Sequence, residues 1–416
     1  MIARGVGCVV RTLGETILAA LPCASVGAGV RIRIAGGATL AGHVAAVERS
    51  RVAIVPFGSL AGISVGDRVE VDDRALATPL GFRVLGRAID AGGNALDGRP
   101  ALWESVVRVA SAAPAPGERL PVEHAFWTGV RAIDGLLTIG RGARIGIFGA
   151  PGAGKTTLLE TIAVGARGDA VVLALVGERG REAQTWFART NRRTTIVCAT
   201  SDRSAAERTR AADVAMAQAQ TLRDRGLHVV LVLDSLARYC AALREQRVAL
   251  GEAVGRGGYP PSVWADLARY LERAGNAARG SITLLATVLS DGADEREPLS
   301  DAARSLLDGH VVLSSALARA GHYPAIDVLA STSRTMNDVV SDEQATDARA
   351  VRAALALLAQ TQDARDVGLA DVGPALETAV SAEPALGAFL QQRGAVTPAE
   401  TRRALRSVAA LLEPRR

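Results

Sequence analysis

Lysine is almost missing from this chain. Lysine and arginine together number 48 among 416 residues, and only one of them, Lys155, is lysine. Arginine therefore supplies every other positive side chain, and the one compact ammonium stands where a planar guanidinium fork would not fit among crowded oxygens. Cysteine is nearly as scarce. Cys8, Cys23, Cys198 and Cys240 have no metal-type spacing, which excludes a zinc module and a disulfide framework and leaves an expectation of small buried thiols. No apolar run approaches the roughly 18 residues that span a bilayer. The start, Met1 to Cys8, lacks the apolar centre of a signal peptide. The expected location is the cytosol. The net charge is +5 and the pI near 9.4, yet the arginines are scattered among acids and form no long basic block. That pattern predicts a solvated surface and no nucleic-acid partner. A residual positive face would suit peripheral docking on an anionic membrane. Aromatics make up 3% of the chain, and residues 1–80 contain only Phe57.

Lys155 lies in the run Gly149-Ala150-Pro151-Gly152-Ala153-Gly154-Lys155-Thr156-Thr157. This is the Walker A pattern, a loop whose glycines let successive N–H groups turn inward around a phosphate. Lys155 would reach the β- and γ-phosphates of a nucleotide such as ATP, and the Thr156 hydroxyl would face Mg²⁺. Ile145 to Phe148 reads as the strand that leads in. Thr157 to Ile162 reads as the helix that leads out, its N-terminus facing the anion.

The composition, 49% hydrophobic and 22% charged, is that of a globular protein with full cores. Residues 1–75 alternate short β-rich pieces with glycine turns, at 31–35, 42–47, 52–57 and 67–71, which predicts a small β-barrel. Residues 76–124 read as a connecting segment, irregular and Ala/Pro-rich at Ser111 to Gly117. From 125 to 340, the continuous apolar runs at 170–176, 195–199, 228–234 and 281–288 alternate with helical stretches. That alternation predicts an α/β core with a mostly parallel sheet covered on both faces. Residues 341–416 are Ala/Leu-rich at helical spacing and read as a helical bundle. No internal repeat or low-complexity tail interrupts this order.

Ligands of a parallel sheet sit beyond the carboxyl ends of its strands. The run ending at Val176 is followed by Gly177-Glu178-Arg179-Gly180-Arg181-Glu182, which offers Glu178 to orient or activate a water, with Glu182 in support. The run ending at Leu233 is followed by Asp234-Ser235. Asp234 is a candidate Walker B carboxylate for Mg²⁺ or, alternatively, the N-cap of the next helix. A Walker A strand about 80 residues earlier favours the metal role. Tyr323 and Arg334 flank a strand-like run, and spacing alone makes them a turn aromatic and a surface cation.

In order along the chain, Gly129-Val130-Arg131-Ala132-Ile133-Asp134-Gly135-Leu136-Leu137-Thr138, the P-loop, Gly177 to Glu182, Gly258-Tyr259-Pro260-Pro261-Ser262-Val263, Leu307-Asp308-Gly309-His310 and Gly321 to Asp327 resemble the hexameric ATPase of type III protein secretion. That family is a relative of the rotary ATP synthase catalytic subunit, and the resemblance covers nearly the whole chain and implies an α/β fold with a RecA-like P-loop core and parallel sheet. It implies that Lys155 and Thr156 bind phosphate and Mg²⁺, that Glu178 is the catalytic carboxylate with Arg179 beside it, and that Asp234 is the Walker B acid. It also implies that Tyr323 packs on adenine, and that Arg334 is an arginine finger reaching the γ-phosphate in a neighbouring subunit of a homohexamer. The implied function is ATP hydrolysis at the cytoplasmic base of an export apparatus docked at the inner membrane. Stalk and stator proteins would be partners there, and chaperone–substrate complexes would be separated and unfolded. Ile133 to Leu137 and Ile326 to Ser331 stand closer to the injectisome branch than to the flagellar one. Two positions depart from the family. Ala293 replaces the first of two adjacent acids, and Phe389 is the only aromatic after Tyr323, which argues against a second adenine-stacking ring and for loose base selectivity.

Three other readings share parts of this pattern. A rotary ATPase catalytic subunit has the same site but alternates with a different chain. A hexameric nucleic-acid translocase needs stacking aromatics that residues 1–80 lack. A non-catalytic nucleotide-binding subunit has no need of Glu178.

Overall fold

The structure, a computed structural model, describes residues 5–49, 51–102, 106–109, 112–189, 191–290, 297–367 and 373–413. Ala293 with its neighbouring acids, Ser111, and the start of the chain through residue 4 lie outside the described residues. The chain forms two compact units. One joins Met1–Ala115 to Ala170–Arg273, and the other joins Pro116–Asp169 to Ala274–Arg416.

The first unit opens with six strands, β1 (Val6–Leu13), β2 (Thr16–Ala20), β3 (Gly29–Arg33), β4 (Thr39–Glu48), β5 (Arg51–Pro56) and β6 (Arg68–Val71). They close into an antiparallel barrel in the order β1-β2-β5-β4-β3-β6. Period-two alternation fills it, with Val30 and Ile32 of β3 inside and Arg31 and Arg33 turned outward. Val9, Ile17, Val44, Val52, Ile54 and Val69 complete the core. Each such side chain contributes roughly 1.5–3 kcal/mol on burial. The β1–β2 hairpin was not among the strands expected from the sequence. A register shift between Val9 and Arg11 breaks the alternation that would have marked it.

The same unit holds four parallel strands in the order His228–Asp234, Ala170–Val176, Thr194–Ala199 and Ala88–Asp90. Ala170–Val176 is buried along its whole length, which is why it reads as one unbroken apolar run. The last strand comes from the segment expected to be a connection. The helix Ala205–Arg223 starts at a capping box between Ser204 and Glu207 and buries Ala211, Ala212, Ala215 and Ala219. The ring of Phe57 in the barrel lies 4.4 Å under the Arg210 guanidinium on this helix, and Glu15 accepts from the Ala205 N–H.

In the second unit four strands run in the order Ile326–Ser333, Gly309–Leu313, Arg144–Gly149 and Ser281–Leu289. The first pair is antiparallel and the others parallel. The helices Asp342–Asp366, Pro374–Leu390 and Pro398–Leu411 pack on one another and on the short helix Arg131–Leu136. The barrel, the α/β core and the helical end follow the sequence reading. The cysteine expectation is corrected in part. Cys198 and Cys240 are buried, but Cys8 and Cys23 are exposed, because Cys8 faces out from β1 and Cys23 sits in a turn at φ +63°. No described helix is long and apolar enough to cross a membrane.

Candidate nucleotide site

Arg144–Gly149 delivers the chain to the loop Ala150 to Gly154, and the helix Lys155–Gly165 leaves it. Gly152 and Gly154 take φ of +82° and +93°, a region open to glycine and costly for other residues. Gly154 is the N-cap, and no side chain caps the helix. Its first N–H groups therefore form the anion-binding end of a helix dipole. The Lys155 ammonium folds over the same loop, donating to the carbonyls of Gly149 at 2.6 Å and Ala150 at 2.8 Å. Thr156 and Thr157 are exposed on the first turn.

A cavity of about 310 Å³ adjoins this loop, lined by Val130, Gly154, Thr157, Tyr323, Gln392 and Arg393 among others. Tyr323 is 47% exposed. It lies beside the loop, 3.7 Å from where a Cβ on Gly154 would sit. The opposite wall is tied down by Gln392. The N–H of Gln392 donates to the Tyr323 carbonyl at 3.1 Å, its Oε1 accepts from the Arg131 N–H at 2.6 Å, and its Nε2 donates to Gly129 O at 2.9 Å. Gly129 is fixed from the other side by Asp134. That carboxylate is fully buried and accepts from the Thr128 N–H, the Thr128 hydroxyl and the Gly129 N–H at 2.8, 2.6 and 2.9 Å. Burial pushes the Asp134 carboxyl up to about 6 against those three donors. Phe389 is buried beneath Gly135 and lines no part of the cavity. Arg334 is exposed directly after the strand Ile326–Ser333, and its Nη2 lies 3.4 Å from the Arg304 carbonyl.

The remaining sequence-predicted residues belong to the first unit. Gly177, at φ +72°, turns the chain out of Ala170–Val176, and Glu178 follows at 7% exposure. Arg179 is the exposed N-cap of the helix Gly180–Ala188, its carbonyl accepting from the Glu182 N–H at 2.9 Å. Arg238 donates to the Gly177 carbonyl and comes within 3.3 Å of a Glu178 carboxylate oxygen. Burial, the hydrogen bond with Glu182 and the charge of Asp234 push the Glu178 carboxyl up to about 8, with Arg238 opposing them. Glu182 moves the other way, held below its ordinary range by the hydrogen bond with Glu178. Asp234 is the half-buried last residue of its strand. The alternative role of helix cap falls to Ser235, whose hydroxyl accepts from the Arg238 N–H at 3.3 Å.

Residues 129–333 match the ATP synthase alpha/beta family, nucleotide-binding domain. The type 3 secretion system ATPase of Sinorhizobium fredii is 43% identical over 395 residues, which span 93% of this chain and 88% of that protein. The chain belongs to the type III secretion ATPases. This ATPase is a nucleotide-binding, ATP-hydrolysing enzyme that energises protein secretion. The assembled ATPase EscN of the enteropathogenic E. coli type III secretion system shares its fold at a TM-score of 0.91 and 36% identity, covering 97% of this chain and all of that one. A second structure holds EscN in complex with its central stalk EscO, at a TM-score of 0.88 and 36% identity over 97% of this chain and all of that one. A flagellum-specific ATP synthase of Salmonella typhimurium stands almost as near, 41% identical over 84% of this chain and 80% of its own.

Three features around these residues, taken unit by unit, went unread in the sequence. Arg238 stands one helical turn after Asp234, but in a chain so rich in arginine its residue type carried no signal. Gln392 acts through backbone contacts made from a loop. Asp134 lay inside a quoted motif, yet only its burial and its three donors reveal that it holds the Gly129 turn.

Proposed function

We propose that each subunit binds ATP with Mg²⁺ on the Gly149 to Thr157 loop and hydrolyses it in a homohexamer whose sites are composite. The observation that carries this reading is that Gly154 borders both a helix N-terminus with no side-chain cap, where phosphate would sit, and the Tyr323 cavity, where a base would sit. The Lys155 ammonium and the first-turn N–H groups bind phosphate oxygens, and Tyr323 stacks on the base. The Thr156 hydroxyl and the Asp234 carboxylate are hard oxygen donors that suit a small divalent cation. Mg²⁺, when bound, screens charge on the phosphate oxygens. Glu178 orients the attacking water and accepts its proton at a carboxylate oxygen, with Arg238 and Arg179 beside it. Arg334 reaches from one subunit to the γ-phosphate held by the next and stabilises the charge of the transition state.

The same reading divides the chain into a barrel (1–75), a connecting segment (76–124), an ATPase domain (125–340) and a helical domain (341–416). It places the hexamer in the cytoplasm at the inner-membrane base of an injectisome, with stalk and stator proteins as partners and chaperone–substrate complexes as the load. EscN's complex with a central stalk supports the stalk assignment.

Glu178→Gln tests the mechanism. The variant is expected to bind ATP as the parent does and to hydrolyse it at least about 10²-fold more slowly. Normal binding with hydrolysis at the parental rate sinks the assignment of Glu178.

A further inference from the structure

The turn that carries Arg334 is held at three points. Before it, the Ser333 hydroxyl donates to the Thr138 carbonyl at 2.7 Å. After it, the Thr335 hydroxyl accepts from the Gly140 N–H at 2.9 Å. Between them, the Arg334 N–H donates to the Asp308 carbonyl at 3.0 Å. Asp308 is itself locked. Its carboxylate accepts from the N–H, Nε and Nη2 of Arg144 at 2.9, 3.0 and 3.1 Å, and its own N–H donates to the Arg144 carbonyl at 2.8 Å. Arg144 begins the strand that ends at the P-loop glycine, Gly149. Thr138 is fully buried and Thr335 nearly so, so water competes little for the two hydroxyl bonds.

These contacts contrast with the side chain they flank. Arg334 is exposed and has four flexible torsions, so the direction in which its guanidinium projects is set by the backbone at its root. We infer that Thr335, Ser333 and Asp308 are positioning residues for Arg334, fixing the angle at which it is presented to the neighbouring subunit. The inference rests on the reading of Arg334 as an arginine finger. It predicts an effect on the chemical step and not on nucleotide binding, because the hydrogen bonds that hold Ser333, Thr335 and Asp308 involve neither Tyr323, Gln392 nor the Gly149 to Thr157 loop except through the start of its leading strand at Arg144. A misplacement of about 1 Å at a catalytic group costs on the order of 10²-fold in rate.

The test uses Thr335→Val, which keeps shape and loses the acceptor, with Thr335→Ser as the conservative control and Asp308→Asn as an independent second variant. Each is made in the full chain, alone and combined with Arg334→Ala, and compared as assembled protein of matched size by light scattering. Alone, Thr335→Val is expected to lower kcat roughly 10- to 100-fold with KM for ATP within about twofold, and Thr335→Ser to restore most of the rate. Combined with Arg334→Ala, it is expected to add less than about a twofold loss, since a positioning residue has nothing left to position. Equal losses in both backgrounds, or a raised KM with kcat unchanged, overturn the inference and make the hydroxyl a support of the fold or of the subunit's own nucleotide site. Asp308→Asn decides in the same way if Thr335→Val does not assemble. Hydrolysis by Arg334→Ala at the parental rate is a separate outcome, which removes the finger itself and the inference with it.

Discussion

Replacing Tyr323 by alanine tests the proposed base slot apart from the chemistry. Tyr323 is about half exposed and borders the cavity beside Gly154, and among the described residues no second ring lines that cavity, Phe389 being buried under Gly135. Aromatic stacking on a base contributes about 1–3 kcal/mol, and a ring that covers one face from a half-exposed position belongs in the lower part of that range, about 1–2 kcal/mol. At 1.4 kcal/mol per factor of ten, KM for ATP should rise roughly 5- to 30-fold. The stacked base is equally engaged before and during phosphoryl transfer, so kcat should hold within about twofold. Steady-state hydrolysis gives both constants, and titration with a fluorescent ADP analogue checks that the change in KM is a change in binding. Tyr323→Phe keeps the ring and should stay within about twofold throughout. An unchanged KM for Tyr323→Ala, or a fall in kcat alone, refutes the base-slot reading.

Two further outcomes follow from titrating groups. Glu178, raised to about 8, holds its proton at neutral pH, while the carboxylate form is the one that accepts from water. kcat/KM should therefore climb as pH passes through about 8. Arg238→Met, which removes the cation favouring the charged form, should move that limb upward, and a profile flat between about pH 6.5 and 9 contradicts the assignment. Burial raises Cys198 and Cys240 to about 12, whereas Cys8 and Cys23 are exposed. A thiol reagent should modify Cys8 and Cys23 rapidly in the native protein and Cys198 and Cys240 only on unfolding, and rapid reaction of all four would contradict the buried placements.

Legibility in the sequence followed burial and locality. The strands Ala170–Val176 and His228–Asp234 stood out because burial along nearly the whole strand removes any polar alternation, and the P-loop stood out because its function is local to nine consecutive residues. The β1–β2 hairpin hid behind a bulge, and Ala88–Asp90 is too short to leave a run. Glu178 was readable as an acid directly after a strand. Its partner Arg238 was not, since the contact joins positions 60 residues apart and is made partly to a backbone carbonyl. The contacts around Arg334 were invisible for the same reason: the hydroxyls of Ser333 and Thr335 and the Arg334 N–H meet backbone groups of Thr138, Gly140 and Asp308 only in the folded unit.

Whether one chain supplies both halves of each catalytic site is decided by the ATPase rate per subunit across protein concentration, with light scattering on the same samples and Arg334→Ala alongside. The rate per subunit is expected to climb as hexamers form, and the Arg334→Ala protein to assemble but hydrolyse at least about 10³-fold more slowly. A monomer that turns over ATP as fast as the assembly, or a chain that never assembles alone, would contradict a composite site.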